Sequence, residues 1–599
     1  MPITLSISGK QMNNYNTIID FISGEQIKAT PEEVDAVQVF SKQLVDDYGY
    51  PRENIQTRPQ YRVKQRPSGK ADFPVDIMVF TSKNHDFQNE YIIVECKRKT
   101  RLDGKTQLED YLRFSKAKLG VWFNGEQRLF LRKYEKDGES IFQEIPNIPK
   151  YGQRIEDIGK FKRKDLRPTH NLKTNFKSIR NYLAANTTGA TRDETLAQQL
   201  INLIFCKIYD ERFTEPENEV TFRAGVGESN AIIKKRIIDL FNKVKEKYKD
   251  VIDKNDNIEL DESSLVYVIG ELQDYCLIDV ERDVIADAFE TFIGHALKGG
   301  QGQFFTPRNL VKMMVNIVDP GDEDLIIDPA CGSGGFLVEA LRHVWNKIES
   351  KGQQYDWNDA NLNEEKMKVA LTNIKGIDKD YFLSKVAKAY MAIIGDGRGG
   401  IFCEDSLEKP AKWGSKTKIE ISLEKFDVLV TNPPFGTKIP VTGEEKLSQY
   451  DLAHQWQFDG ATSTWVKGKL KQKEPPQILF IERALQFLRD QGRAAIVLPE
   501  GIYGNESLAY IRNWLLKHAR ILAIIDVPLE TFMPNTGTKT SVLVLQKTKK
   551  EDIPDNYPIF LAHAEYCGHD RRGKEIPMDD FTAIPGEFKK WMKENNFSF

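Results

Sequence analysis

The sequence predicts an α/β protein in three parts: an α/β domain over residues 1–150, a helical domain over 168–295 and a larger α/β domain over 296–599. Three observations predict it. In the last part, short apolar strands each run into an acidic residue and then an amphipathic helix, as a parallel sheet covered by helices requires. In the first, a helical run precedes two strong β runs. Between them, amphipathic helical patterns repeat with few strand signals.

At 599 residues, 40% hydrophobic and 29% charged, the chain can bury several cores. Its net charge is only −3. Affinity for a polyanion must therefore come from local basic clefts or from a partner rather than from bulk charge. The six cysteines (Cys96, Cys206, Cys276, Cys331, Cys403, Cys567) contain no CxxC pair, which argues against zinc and against a disulfide scaffold. There is no signal-peptide pattern and no apolar run of about 18 residues, so a cytoplasmic protein without a membrane role is expected.

In order along the chain, TPEEVDAVQVFSKQLVDDYGY at 30–50 has apolar residues at helical spacing. VDIMVF and YIIVECKRKT follow as strands separated by a polar turn, with Asp76 opening the first and Glu95-Cys96-Lys97 closing the second. An Asp on one strand and Glu-x-Lys on its neighbour put two carboxylates and an amine at one strand end. Asp76 and Glu95 could hold Mg²⁺, and the metal with Lys97 would activate water against a phosphodiester. Asp72 rivals Asp76, Glu33 could add a helical metal contact, and KRKTR could meet phosphates. The next helix carries Gln107 and Tyr111, a QxxxY match. KFKRKDL at 160–166 suggests an interdomain connection. NYLAANTTG, ETLAQQLINLIFCKIYDERF, AIIKKRIIDLFNKVKEKYKDVI and ERDVIADAFETFIGHAL then read as helices, with KEKYKD a solvated face.

The third part holds the strongest signal. LIIDPACGSGGFLVEALRHVW runs from a strand through Asp328 and a glycine turn (Gly332, Ser333, Gly334, Gly335) into a helix, the layout of a nucleotide-type cofactor site. Its spacing is neither a Walker A loop nor a dinucleotide fingerprint. Asp378 ends the next strand, placed for ribose hydroxyls, and Asp405 follows another, suited to an adenine amino group. FDVLVT then leads into Asn432-Pro433-Pro434-Phe435. An exocyclic nucleobase amine is a poor nucleophile until fixed acceptors take its N–H bonds. The Asn432 side-chain oxygen and the Pro433 carbonyl can do that, held still by two prolines with locked φ, and Phe435 offers a ring for a flipped base.

On these motifs, with GQFFTPRNLV at 302–311, the chain from about residue 170 onward resembles the methyltransferase (M) subunits of type I restriction enzymes and related γ-class adenine-N6 methyltransferases. The resemblance implies a Rossmann-like domain using S-adenosylmethionine. Gln303, Phe304, Phe305, Thr306, Pro307 and Arg308 would line the cofactor with the glycine loop, Asp378 would meet the ribose and Asp405 the adenine ring. Asn432, Pro433, Pro434 and Phe435 would hold the target base. GRAAIVLPEGIYG and TGTKTSVLVLQK look like the last strands of that family's fold. The first 150 residues resemble the N-terminal PD-(D/E)xK nuclease domain of type I R subunits.

GHDRRGKE at 568–575 nearly matches GxxxxGK(S/T), but Glu575 stands where Ser or Thr would bind Mg²⁺, so it reads as a β-turn and no ATP motor is expected. Nor is a target-recognition domain expected after VLVLQK. The polar, Trp-containing stretch 441–475 shows no periodicity and is expected to order only on DNA. The sequence thus points to a bifunctional restriction–modification subunit, similar to type IIB and IIG arrangements. It would act on double-stranded DNA within a hetero-oligomer that includes a separate specificity (S) subunit. Alternatives are a methyltransferase whose N-terminal domain is a relic for DNA binding or assembly, and a DNA-bound scaffold without turnover.

Overall fold

A computed structural model describes residues 17–64, 72–101, 103–168, 172–187, 192–249, 251–278, 306–394, 397–436, 439–534, 536–554 and 556–599. By contacts the chain divides into two units. One comprises Met1–Lys247 with Asn257–Phe292, the other Tyr248–Asp256 with Ile293–Phe599. The expected helix at 281–297 and the expected cofactor contacts Gln303, Phe304 and Phe305 lie outside the described residues.

The first unit is built on a six-stranded sheet. Its strands are β1 (Ile55–Gln56), β2 (Ile77–Phe80), β3 (Glu90–Cys96), β4 (Leu119–Phe123), β5 (Arg128–Lys136) and β6 (Glu139–Glu144), in the order β6-β5-β4-β3-β2-β1. β3 and β4 are parallel and the other pairs antiparallel. Because successive side chains alternate faces, Ile77, Val79, Ile92 and Val94 pack with Phe40 and Leu44 of α1 (Gln38–Asp46). Met78, Phe80 and Ile93 pack with Leu108 and Leu112 of α2 (Lys105–Phe114). Glu95 continues the Ile93 parity, so it faces α2.

The helical part of this unit contains α3 (Leu172–Asn186), α4 (Asp193–Phe213), α5 (Asn230–Lys247) and α6 (Glu262–Leu272). It joins the sheet through a buried pair, Arg128 on β5 with Glu271 on α6, and Arg128 also donates to Asn175 Oδ1 at 2.8 Å. Removing either partner would leave a buried charge alone.

In the second unit, α7 (Arg308–Val318) precedes β7 (Ile326–Asp328), α8 (Gly335–Gln354), α9 (Asp359–Thr372), β8 (Ile374–Asp378), α10 (Tyr381–Ile394), β9 (Ile401–Cys403) and β10 (Phe426–Thr431). A polar insertion follows with β11 (Val441–Thr442), β12 (His454–Asp459), β13 (Thr464–Leu470) and β14 (Lys473–Glu474). The fold then runs through α11 (Pro476–Phe487), β15 (Leu488–Pro499), α12 (Ala509–His518), β16 (Ala519–Asp526), β17 (Thr540–Lys547), β18 (Phe560–His563), β19 (Cys567–His569), β20 (Glu575–Asp579) and α13 (Ile584–Glu594).

The main sheet has the order β9-β8-β7-β10-β15-β17-β16-β18. Its first five strands are parallel, and β17 is antiparallel to both β15 and β16. The chain starts in the middle at β7, builds outward to β9, then returns to β10. Strand order therefore switches between β7 and β10, where α/β folds open a crevice at the carboxyl ends of the strands. Ile327, Leu429, Ile496 and Leu543 are buried against Ile481 and Leu485 of α11 and Ile511 and Leu515 of α12. This confirms the α/β class.

The insertion corrects one expectation. Residues 441–475 are not without regular structure: β11 pairs with β14, and β12 with β13 as an antiparallel hairpin. Trp456 stacks on Tyr510 of α12, with Trp465 packed beside it, so partly buried aromatic rings hold the hairpin on that helix.

Candidate functional site

Four strand ends meet at the carboxyl edge of the second unit's sheet. Asp328 and Asp378 are the last residues of β7 and β8, Asp405 lies two residues past β9, and Asn432 directly follows β10. A cavity of about 540 Å³ opens there. Its walls include Gly332, Ser333, Gly335, Asp378, Asp405 and the segment from Asn432 to Phe435.

The glycine turn is tied to β8. Gly332 N–H donates to Asp378 Oδ2 at 2.9 Å and Asp380 N–H to Asp378 Oδ1 at 2.8 Å. Burial still outweighs these bonds and raises the Asp378 carboxyl above its ordinary value. A Cβ at Gly332 or Gly335 would meet nothing within 4 Å, and both residues line the cavity. The backbone there is bare toward a ligand. Gly334 differs: its φ is +89°, and a Cβ added there would come 3.2 Å from Ala387 Cβ on α10, so the glycine serves helix packing.

Asp328, expected among the cofactor-binding residues, stands outside the cavity lining. It is fully buried, accepting from Thr431 Oγ1 at 2.7 Å and Ala330 N–H at 3.0 Å, and thereby clamps β7 to β10 behind the cavity wall. Burial pushes its carboxyl up to about 7. The segment 306–308 also divides. Thr306 faces the cavity, whereas Pro307 and Arg308 line a second one, because α7 begins at Arg308 and turns successive side chains apart.

Asn432 is the most informative side chain. Its Nδ2 donates to Thr306 Oγ1 at 3.0 Å, which leaves Oδ1 buried with no partner among the described residues. A buried acceptor without a donor is costly, and here it stands at the cavity wall. Phe435 is buried and packs edge-on against Phe532 at 6.4 Å. Lys446, absent from the sequence expectations, reaches Asp405 Oδ2 at 2.7 Å and Glu408 at 3.4 Å from the cavity lining. It sits in a single four-residue turn (Glu444–Leu447), too short to carry a periodic signal.

The first unit gathers a second cluster. In the β2–β3 register Ile77 opposes Val94, which brings Asp76 beside Glu95. Cys96 N–H donates to Asp76 Oδ2 at 2.7 Å, Gln60 Nε2 donates to Oδ1 at 3.2 Å, and Lys97 contacts Glu95 directly. Burial raises both carboxyls well above the usual carboxylate range, and their mutual repulsion adds to it at Glu95. Gln107 donates to the Tyr111 hydroxyl on α2. Glu33, the expected helical acid, instead pairs with Arg58, and its neighbour Glu32 is the one that acts electrostatically on Asp76, Glu95 and Lys97. Glu33–Val37 is a π-turn, which shifts the helical phase that α-spacing assumes. Asp72 lies in a short ribbon strand, Asp72–Pro74, outside the six-stranded sheet. Among the described residues, no group of three His, Cys, Asp or Glu side chains could hold a metal ion.

Comparison with known proteins gives two family matches: N-6 DNA Methylase over residues 280–599 and Type I restriction enzyme R protein N terminus over 31–149. The methylase subunit of the type I restriction enzyme EcoEI from Escherichia coli is 26% identical across 69% of this chain and 70% of its own length. The MjaVII methylase subunit from Methanocaldococcus jannaschii is 24% identical across 57% of this chain, which spans about half (53%) of that relative. A type I restriction–modification methyltransferase subunit from Streptococcus thermophilus aligns in structure at 18% identity, TM-score 0.47, covering 71% of this chain and 94% of that one.

Proposed function

This chain belongs to the N-6 DNA Methylase family, and we propose that its second unit transfers a methyl group from S-adenosylmethionine to the N6 amine of adenine in double-stranded DNA. The observation that supports this most is the buried Oδ1 of Asn432, which has no partner among the described residues. The residues fit the cofactor: bare glycine backbone at Gly332 and Gly335, and a carboxylate, Asp378, whose hydrogen bonds fix that loop. Ser333 and Thr306 complete the near wall, and Asp405, steadied by Lys446, stands at the far strand end.

The cofactor, when bound, supplies an electrophilic methyl group. The chain does the rest. Thr306 fixes the Asn432 amide so that Oδ1, with the Pro433 carbonyl, accepts the N–H bonds of the target amine and frees its lone pair. Phe435, braced by Phe532, offers the ring on which the extruded base stacks. Asn432→Ala should abolish labelled-methyl transfer while calorimetry still detects cofactor binding. Transfer at the wild-type rate would refute the assignment.

For the first unit we propose Mg²⁺-dependent DNA cleavage, with Asp76 and Glu95 holding the ion and Lys97 beside it. Two buried carboxylates that repel each other are relieved by a divalent cation, and Mg²⁺ needs only one or two protein carboxylates. Lys97→Ala should eliminate Mg²⁺-dependent cutting and spare methylation; undiminished cutting would rule the proposal out. The direct contact of Lys97 with Glu95 supports a second reading, in which this unit only binds DNA or aids assembly. A wild-type protein that methylates but never cuts would establish that reading.

A further inference from the structure

Behind the wall that carries Asn432 and Phe435 lies another cavity, of about 550 Å³, at the same carboxyl edge of the sheet. The two cavities share walls at two points. Thr306 lines the first and Pro307 the second, and Phe435 of the first packs against Phe532 of the second.

Thr531 lines this second cavity. It is 1% exposed, and its hydroxyl has no hydrogen-bond partner among the described residues. The first turn of α7 also opens there, bringing the positive end of an eleven-residue helix together with Arg308, whose guanidinium donates to the Tyr390 hydroxyl at 3.3 Å. His569 adds an imidazole whose affinity for a proton is raised by the Cys567 thiol beside it. Two carboxylates are present as well. Asp579 is already engaged, accepting from Asn309 Nδ2 at 3.0 Å and Phe581 N–H at 3.0 Å, and Glu575 is exposed. A buried hydroxyl, a guanidinium and a helix N-terminus make an anion site. No residue of the methyl-transfer chemistry accounts for it.

We propose that this second cavity receives the phosphodiester beside the extruded adenine, with the Thr531 hydroxyl donating to a phosphate oxygen and Arg308 neutralising its charge. The inference rests on the methyl-transfer reading: a base held at Asn432 and Phe435 must carry its backbone past Phe532. The Thr531 hydroxyl, Arg308 and a helix end would fix the register of the strand, while Asn432 selects the amine. The basic turn of the β19–β20 hairpin (Arg571, Arg572, Lys574), the near-match to a phosphate loop, then borders a DNA backbone rather than a nucleotide.

The test uses the full-length protein, unmethylated plasmid DNA and labelled S-adenosylmethionine. Thr531→Val should raise the KM for DNA about tenfold, with kcat and the KM for cofactor unchanged, and Thr531→Ser should restore it. Arg308→Gln should lower the slope of log affinity against log salt by about one. If neither Thr531→Val nor Arg308→Gln changes these quantities in folded protein, the cavity does not hold phosphate. A rise in the KM for cofactor instead would assign it to the cofactor and overturn the inference. A wild-type protein that transfers no methyl group to DNA would sink the underlying reading as well, which separates the two failures.

Discussion

Burial and the neighbouring Asp76 hold the Glu95 carboxyl above its ordinary range, with Lys97 pulling the other way. The folded state therefore binds more protons here than the unfolded chain does. The resulting stability is fully present below the unfolded carboxylate pKa and is lost as pH rises through the raised folded value toward neutrality. Glu95→Gln removes that titration. Relative to wild type, the variant should gain on the order of 1 kcal/mol between pH 5 and pH 8 without divalent metal. Thermal melts at the two pH values check it, and a difference between the proteins that stays constant would contradict it. At the same scale, Glu32 and Lys446 show where sequence runs out. Each acts on a site through its position in a short turn, and neither carries a motif.

Among the elements, the repeat of strand, acid and helix was legible because parallel strands and their covering helices impose apolar runs of distinct period. The NPPF segment and the glycine turn were legible as residue patterns, and the fold brings both to one cavity. The division of 306–308 between two cavities was not, since it depends on where α7 begins. Nor was the β12–β13 hairpin, whose alternation of Trp456 and Phe458 with Gln455 and Gln457 is short and lies on an exposed ribbon. Packing beneath the site was hidden as well. A Cβ at Gly376 on β8 would come within 2.5 Å of Leu337 on α8 and 3.1 Å of Cys331 Sγ. Gly376→Val should therefore push α8 and the glycine turn off the sheet, costing about 1–3 kcal/mol. Although the residue does not line the cavity, cofactor affinity should fall with it. A melt and a calorimetric titration decide this; full affinity in a destabilised protein would uncouple the two.

At the scale of the whole molecule, charge and fold together argue for a partner. A net charge of −3 gives no bulk attraction to DNA. On the proposed reading the second unit's cavity takes one base, whereas sequence readout needs side chains set against base edges in a groove. Among the described residues, no helix is long and apolar enough to cross a membrane. The chain alone should show little site preference, with binding that weakens steeply as salt rises; a single fully modified motif in cells expressing only this chain would contradict that. The central claim, methyl transfer to adenine N6 through Asn432, is tested most directly by incubating the full-length protein and its genomic neighbours with unmethylated DNA and labelled S-adenosylmethionine, then separating the nucleosides. Label should appear in N6-methyladenine with wild type and be absent with Asn432→Ala. Label in a cytosine derivative, or equal label with the variant, would contradict it.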